Sequence, residues 1–372
     1  MVIGYDGSRA FVSSKTGTEN YSYQLLRALA KIDRKNSYIV YIKSFNLDTA
    51  VSTLKFSENF KVVEILWSRF WTQGGLAFQT FTDKLDVLFV PAHTLPVLRK
   101  PGLKTVVTVH DLGSEYLPQM HQLKQRAYLG LMQKYQLKGA TKIIAVSKAT
   151  KADLVKRIGI EQKKIKVVYE GYDQKLFKPI KNDTKASSLI PLDPKDRKDF
   201  SPYFLFVGTV QPRKNLERVI RAFSKIKDKN LLIAGQKGWL SDEIYKLPKK
   251  LDIEEKVKFL GYVPEKQLPA LYSGAIALVF PSLFEGFGLP ILEAQACGCP
   301  VITSNVSSMP EVAGKGALLV DPYSVDDIVD GMKKCQISNV KFQMIKAGFE
   351  NIKRFSWEKC ARETLKVLES IT

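Results

Sequence analysis

The chain has 372 residues, 45% hydrophobic and 25% charged, and its 57 Lys and Arg against 37 Asp and Glu give a net charge of +20. That length supports two domains with sizeable cores, and the composition excludes a disordered or fibrous protein. The charge favours anionic partners (nucleotide phosphates, nucleic acid or an anionic membrane face), with a lysine-rich solvated surface as the plain alternative.

Four cysteines, Cys297, Cys299, Cys335 and Cys360, are too few and too scattered for a disulfide framework, and no histidine or second cysteine pair lies near the first two to build a zinc site. The opening MVIGYDGSRAF lacks the basic region and apolar core of a signal peptide. No apolar run approaches the roughly 20 residues that span a bilayer. A reduced, cytoplasmic setting is the expectation.

In chain order, Met1 to Tyr5 reads as a strand. A polar loop with Gly7 and Gly17 follows, and Glu19 to Ile32 has apolar residues at helical spacing. A strand, a glycine loop and a helix suggest a Rossmann-type half. The loop is not G-x-G-x-x-G, so no dinucleotide site is assigned. Strand-like runs recur at Tyr38 to Ile42, Val62 to Ile65, Val87 to Pro91, Lys104 to Val109, Lys142 to Val146 and Ile165 to Tyr169, alternating with helix-length segments. Such alternation predicts a parallel sheet covered on both faces, with ligands beyond the carboxyl ends of its strands.

His110 and Asp111 directly follow one of these strands, where a histidine is either structural or a ligand contact. Met120 to Lys142 reads as a basic helix with interleaved tyrosines, either a packed surface helix or an interfacial one. Ser147, between strand and helix, is expected to be an N-cap. Val167 to Pro179 leads into Ile180 to Pro202, a polar, proline-containing stretch that reads as a linker or surface loop.

The second half restarts with a strand, Tyr203 to Val207, then Gly208-Thr209-Val210-Gln211-Pro212-Arg213-Lys214-Asn215 and a helix from Leu216 to Ile226. Two adjacent cations before a helix can clamp a diphosphate, Arg213 by its fork and Lys214 as a point charge; a solvated pair is the alternative. Strands at Leu231 to Gly235 and Val257 to Leu260 lead into glycine loops, the second being Gly261-Tyr262-Val263-Pro264. Leu278 to Pro300 is the richest stretch. A strand, Ala275 to Phe280, precedes Glu285-Gly286-Phe287-Gly288, and Leu289-Pro290 starts a short helix that ends at Gly298. Glycines before a helix N-terminus make an anion site. Glu285 stands in that turn, and Glu293 is expected in the helix's first turn. Asp326 to Cys335 and Lys341 to Asn351 read as helices, and Ser356 is expected to cap a last amphipathic helix anchored by Trp357.

The pattern E-G-F-G-L-P-x-x-E, continued by ACGCPVITSN (Ala296 to Asn305) and PEV.G..ALLVDP (Pro310 to Pro322), resembles the E-x7-E signature of the family 4 (group 1) retaining glycosyltransferases. The resemblance implies a GT-B fold of the α/β class: two Rossmann-like domains facing across a cleft, the last helix crossing back to the first. On that basis residues 1–172 plus 355–372 form the acceptor-side domain and 173–354 the donor-binding domain. The co-substrate is a nucleotide-diphosphate sugar and the acceptor a glycan or lipid-linked glycan. Arg213, Lys214, Gly208 and the turn Gly286, Phe287, Gly288 and Leu289 then meet the donor diphosphate, and Gly17 the phosphate or acceptor. Glu293 binds the ribose, Tyr262 and Val263 the base, Glu285 the sugar ring, and His110 the sugar near its 6-hydroxyl. No D-x-D occurs, so no metal and no further cofactor are expected. GTVQPRKN with VVTVHDL most resembles bacterial mannosyltransferases using GDP-mannose; other donors share these motifs. The family's usual Asn before Gly171 is Glu170 here. A sugar-nucleotide epimerase of the same fold is the nearest rival, and a basic nucleic-acid-binding protein the non-enzyme one. No nucleic-acid-binding module is recognisable. The expected location is cytoplasmic, with peripheral contact at an anionic membrane face.

Overall fold

The structure is a computed structural model, describing residues 1–12, 17–43, 54, 56–67, 69–92, 94–112, 134–180 and 202–371. It divides into two compact units, Met1–Gly171 with Phe355–Thr372 and Tyr172–Arg354.

The first unit is built on a seven-stranded parallel sheet in the order β3-β2-β1-β4-β5-β6-β7. Its strands are β1 (Val2–Asp6), β2 (Ser37–Lys43), β3 (Phe60–Ile65), β4 (Val87–Val90), β5 (Lys104–Val109), β6 (Lys142–Ala145) and β7 (Ile165–Val167). The central strands are near-continuous apolar runs, VLFV in β4 and TVVTV in β5, because a covered parallel sheet buries both faces. Ser147 caps the helix Lys148–Asp153, its side chain accepting from Thr150 N. The first helix, Gly17–Ile32, packs on the last, Trp357–Glu369, and the Tyr21 and Trp357 rings lie 5.9 Å apart. Ser356 caps the last helix by accepting from Lys359 N. Gly171 has to be glycine: a Cβ there would run into the Ser356–Trp357 backbone. The chain therefore leaves this unit in backbone contact with the segment by which it returns.

The second unit has six parallel strands in the order β10-β9-β8-β11-β12-β13. They are β8 (Tyr203–Val207), β9 (Asn230–Ala234), β10 (Val257–Gly261), β11 (Leu278–Phe280), β12 (Val301–Ser304) and β13 (Ala317–Val320). Phe204, Phe206, Phe223 and Phe280 are fully buried around β8 and β11. Each stabilises the unit by roughly 1.5–3 kcal/mol relative to exposure. Strand order reverses between β8 and β11, and in open α/β sheets the ligand crevice lies at the carboxyl ends of the strands at such a point. The loops leaving β8 and β11 are the two that carry Arg213, Lys214 and Glu285.

Several elements depart from the sequence reading. The expected strand Ala275 to Phe280 is regular only over Leu278–Phe280. β13 and the helices Asp242–Lys250 and Met309–Ala313 were not expected. β13 is a short, partly exposed edge strand without alternation, and Pro248 sits inside the Asp242–Lys250 helix. Most of the basic segment Met120 to Lys142 and of the stretch Ile180 to Pro202 lies outside the described residues. All four cysteines are buried free thiols. Among the described residues no helix is long and apolar enough to cross a membrane.

Candidate active site

The site begins where β8 ends. Gly208 has φ +148° and donates from its N–H to Ala234 O at 2.9 Å. Its carbonyl occupies the space a Cβ of Gly235 would need, so the loops after β8 and β9 abut. The chain then makes a short 3-10 turn, Pro212–Lys214, and Asn215 reverses it in a left-handed conformation (φ 61°) into the helix Leu216–Phe223. Asn tolerates that conformation, and its amide is used twice: Nδ2 donates to Pro281 O at 2.9 Å and to Pro322 O at 2.7 Å. Leu283 N also donates to Arg213 O at 3.0 Å. The β8 and β11 loops are thereby clipped together.

That clip brings three charged side chains into contact. Arg213 Nη1 donates to Glu285 Oε2 at 2.9 Å and to the Phe284 carbonyl at 2.8 Å. Lys214 Nζ donates to Glu285 Oε1 at 2.7 Å and lies 5.1 Å from the Phe280 ring centroid. The side chains are only 19%, 12% and 8% exposed for Arg213, Lys214 and Glu285. Burial pushes the Glu285 pKa up, but the charges of Arg213 and Lys214 and their hydrogen bonds outweigh it and bring it down to about 2. Two cations meet one carboxylate in this largely desolvated turn, a setting in which a further anion is favoured.

The turn itself is held from β12. Ser307 Oγ donates to Glu285 O at 2.6 Å, and Ser308 Oγ lies 2.9 Å from Glu285 O and 2.8 Å from Phe287 O. Gly288, with φ +105°, is the N-cap of the helix Leu289–Ala296, with Pro290 in its first turn. The helix closes on Gly298 (φ +72°), with Gly298 N to Gln295 O at 3.1 Å and Cys299 N to Ala294 O at 2.9 Å, a Schellman pair.

Glu293 is not in the first turn as expected. The helix starts at Leu289, which puts Glu293 fifth, and its partner is Tyr272, whose hydroxyl donates to Oε2 at 2.8 Å. Burial pushes its carboxyl up to about 7; the Tyr272 hydrogen bond opposes this and the charge of Glu265 adds to it. Tyr262 is exposed and Val263 buried at the end of β10, two strands from β8.

The remaining two expected residues belong to the first unit. Gly17 opens the Gly17–Ile32 helix, and among the described residues nothing lies within 4 Å of where its Cβ would stand. His110 follows β5, and both its ring nitrogens have partners within that unit: Nδ1 is 3.2 Å from Glu170 Oε1 and Nε2 is 3.0 Å from Pro91 O. Sequence reasoning passed over Asn215, Tyr272, Ser307 and Ser308. Asn215 alone had a signal, a left-handed-tolerant residue directly before a helix.

Two parallel-sheet units, one carrying cations and a carboxylate at its switch point, are the parts of a GT-B enzyme. Over residues 193–346 the chain matches the glycosyl transferases group 1, and over residues 15–176 glycosyltransferase family 4. It is 30% identical over 268 residues to O-antigen chain mannosyltransferase B of Escherichia coli, spanning 70% of this chain and 69% of that one. It is 28% identical over 358 residues to O-antigen chain mannosyltransferase RfbU of Salmonella typhimurium, spanning 92% and 94%. Among solved structures it resembles a sucrose-phosphate synthase from Thermosynechococcus elongatus (TM-score 0.79, 21% identity, 100% and 99% covered). It also resembles an Anabaena protein solved with UDP and glucose (TM-score 0.75, 17% identity, 99% of each chain). The chain belongs to the family 4 (group 1) glycosyltransferases.

Proposed function

We propose that this glycosyltransferase moves mannose from GDP-mannose to a glycan or lipid-linked acceptor with retention of anomeric configuration and without a metal ion. The observation that carries the reading is the cluster of Arg213 and Lys214 on Glu285 at the sheet's switch point. A donor diphosphate entering this turn takes over the two cations, and the helix beginning at Leu289 adds its positive terminus. As the sugar–phosphate bond breaks, negative charge grows on the leaving diphosphate, and these groups stabilise it. Glu285, ionised at all working pH values, faces the sugar and steadies positive charge on its anomeric carbon. Glu293, anchored by Tyr272, takes the ribose hydroxyls. The mannose assignment is supported by the two O-antigen mannosyltransferase relatives, and GDP by the likeness of GTVQPRKN with VVTVHDL to bacterial GDP-mannose enzymes.

We further infer contact with an anionic membrane face. Lys142, Lys148, Lys163, Lys166, Lys359 and Lys366 line a groove of about 630 Å3 in the first unit. In the same unit Leu66, Trp67, Phe70, Phe78 and Phe81 are exposed. Basic and aromatic side chains of this kind suit an interface.

A thermal-shift panel of GDP-mannose, UDP-glucose and UDP-GlcNAc tests the donor: stabilisation by GDP-mannose alone supports it, and stabilisation by a UDP-sugar alone replaces it. Anomeric NMR of the product decides retention, and turnover in excess EDTA decides metal independence. Flotation with anionic but not neutral vesicles supports the membrane contact; equal behaviour with both removes it.

A further inference from the structure

His110 carries two acceptors, which settles where its protons are. A carbonyl oxygen only accepts, so Nε2, 3.0 Å from Pro91 O, bears a hydrogen. One further proton is then shared between Nδ1 and Glu170 Oε1, 3.2 Å away. Imidazole is the stronger base by about 2 pK units in reference peptides. The hydrogen bond and charge of Glu170 place that proton on Nδ1, so the ring is an imidazolium. Both side chains are buried, at 11% and 5% exposure.

The surroundings hold the ring in this state. The Tyr21 ring meets His110 edge-on at 4.6 Å between centroids, and its hydroxyl lies 3.3 Å from Thr108 Oγ1. Thr150 Oγ1 donates to the His110 carbonyl at 3.2 Å. Among the described residues the charged or titratable groups facing the pair are Asp111, Tyr21 and, from the last helix, Cys360; burial pushes the tyrosine and the thiol far up, so both stay neutral. Burial opposes charge on His110, and the hydrogen bond and charge of Glu170, the Pro91 carbonyl and Asp111 together raise its pKa nonetheless. Glu170 directly precedes Gly171, where the first unit's chain ends against the Ser356–Trp357 backbone. An asparagine at this position would offer Nδ1 an acceptor without a negative charge. Glutamate does what asparagine cannot: it keeps the second proton on the ring.

We propose that Glu170 is a positioning residue that holds His110 as a doubly donating imidazolium, its ring fixed between two acceptors at the carboxyl end of β5. Both N–H groups of the ring are then committed to acceptors within the first unit. This rests on the transferase reading above for its catalytic consequence, but the protonation state itself does not. The raised pKa means the pair stabilises the fold below about pH 6.5, and that contribution is lost as pH rises through the folded-state value.

The test is an NMR titration of His110 in the full chain, alongside kcat and KM against pH, for the wild type, Glu170→Gln, Glu170→Asn and Glu170→Asp. The chain has 3 histidines, so a His110→Gln variant assigns the resonance. In the wild type His110 should titrate above the free-imidazole value. Glu170→Gln and Glu170→Asn should lower the midpoint by about 1–3 units and shift the alkaline limb of kcat with it. Glu170→Asp, which keeps the charge and guards against a folding defect, should hold the midpoint within about one unit of wild type. An unmoved midpoint in the two amide variants overturns the proposal. A lowered midpoint with an unmoved kcat profile reduces Glu170 to a structural partner. If no sugar donor supports turnover, the transferase reading fails while the midpoints still decide the hold of Glu170 on His110.

Discussion

Each unit keeps a buried charged cluster at the carboxyl ends of its parallel strands, and the two are balanced differently. In the second unit two cations, Arg213 and Lys214, share the carboxylate of Glu285. In the first unit His110 faces one carboxylate and one carbonyl, and its donors are fully used. The first arrangement can exchange its carboxylate for a ligand's phosphates; the second has nothing to exchange. An excess of cation in a desolvated turn is a binding site, whereas a matched pair is a fixture.

The sharpest way to break this contrast is Glu285→Ala. It should lower transfer by about 10²–10³-fold, while binding of the free nucleoside diphosphate survives because both cations remain. Retained turnover, or lost nucleotide binding, would remove the roles given to the cluster. The same carboxylate has a pH signature. Its folded pKa of about 2 lies below the unfolded value, so it stabilises the chain above about pH 4.5, and that contribution fades as pH falls towards 2. The loss should reach about 3 kcal/mol, and Glu285→Gln should flatten the acid limb of a melting-temperature profile.

Asn215→Ala is expected to cost about 2–3 kcal/mol in denaturant unfolding. It removes two buried hydrogen bonds and puts alanine at φ 61°, and it should also loosen diphosphate binding by freeing the β8 loop from Pro281 and Pro322. An intact affinity would show that the cluster orders itself without this clip. The smallest effect on transfer should come from Glu293→Gln, whose mark is on stability and runs with pH in the opposite sense. With its folded value raised to about 7, wild-type stability contributed by this carboxyl is full below about pH 4.3 and declines as pH rises through 7. The variant should therefore melt higher than wild type at pH 8, by a margin that narrows towards pH 5; an identical difference at both would mean that Glu293 does not titrate in this range.

The strands that organise both sheets were readable as continuous apolar runs such as YFLFV in β8, because burial on both faces leaves no polar alternation to disguise them. Capping was readable for the same local reason: Ser147, Ser356 and Gly298 each act within a turn of their own positions. β13 was not readable, since a short edge strand in partial solvent carries little periodic signal. The Glu285 turn showed its chemical types in sequence, but its partners stand some seventy residues away in the loop of another strand.

The sequence by itself determined the class of fold, two α/β halves of parallel strands, and the local turn that puts glycines and Glu285 before a helix. Those are properties of periodicity and of residues within a few positions of one another. Only tertiary structure decided that Glu285 spends its charge on Arg213 and Lys214, that Asn215 ties two loops, and that Glu170 claims His110. Each of these depends on strand order, which brings distant loops to one edge of a sheet, and on burial, which makes an unpaired charge too costly to leave alone.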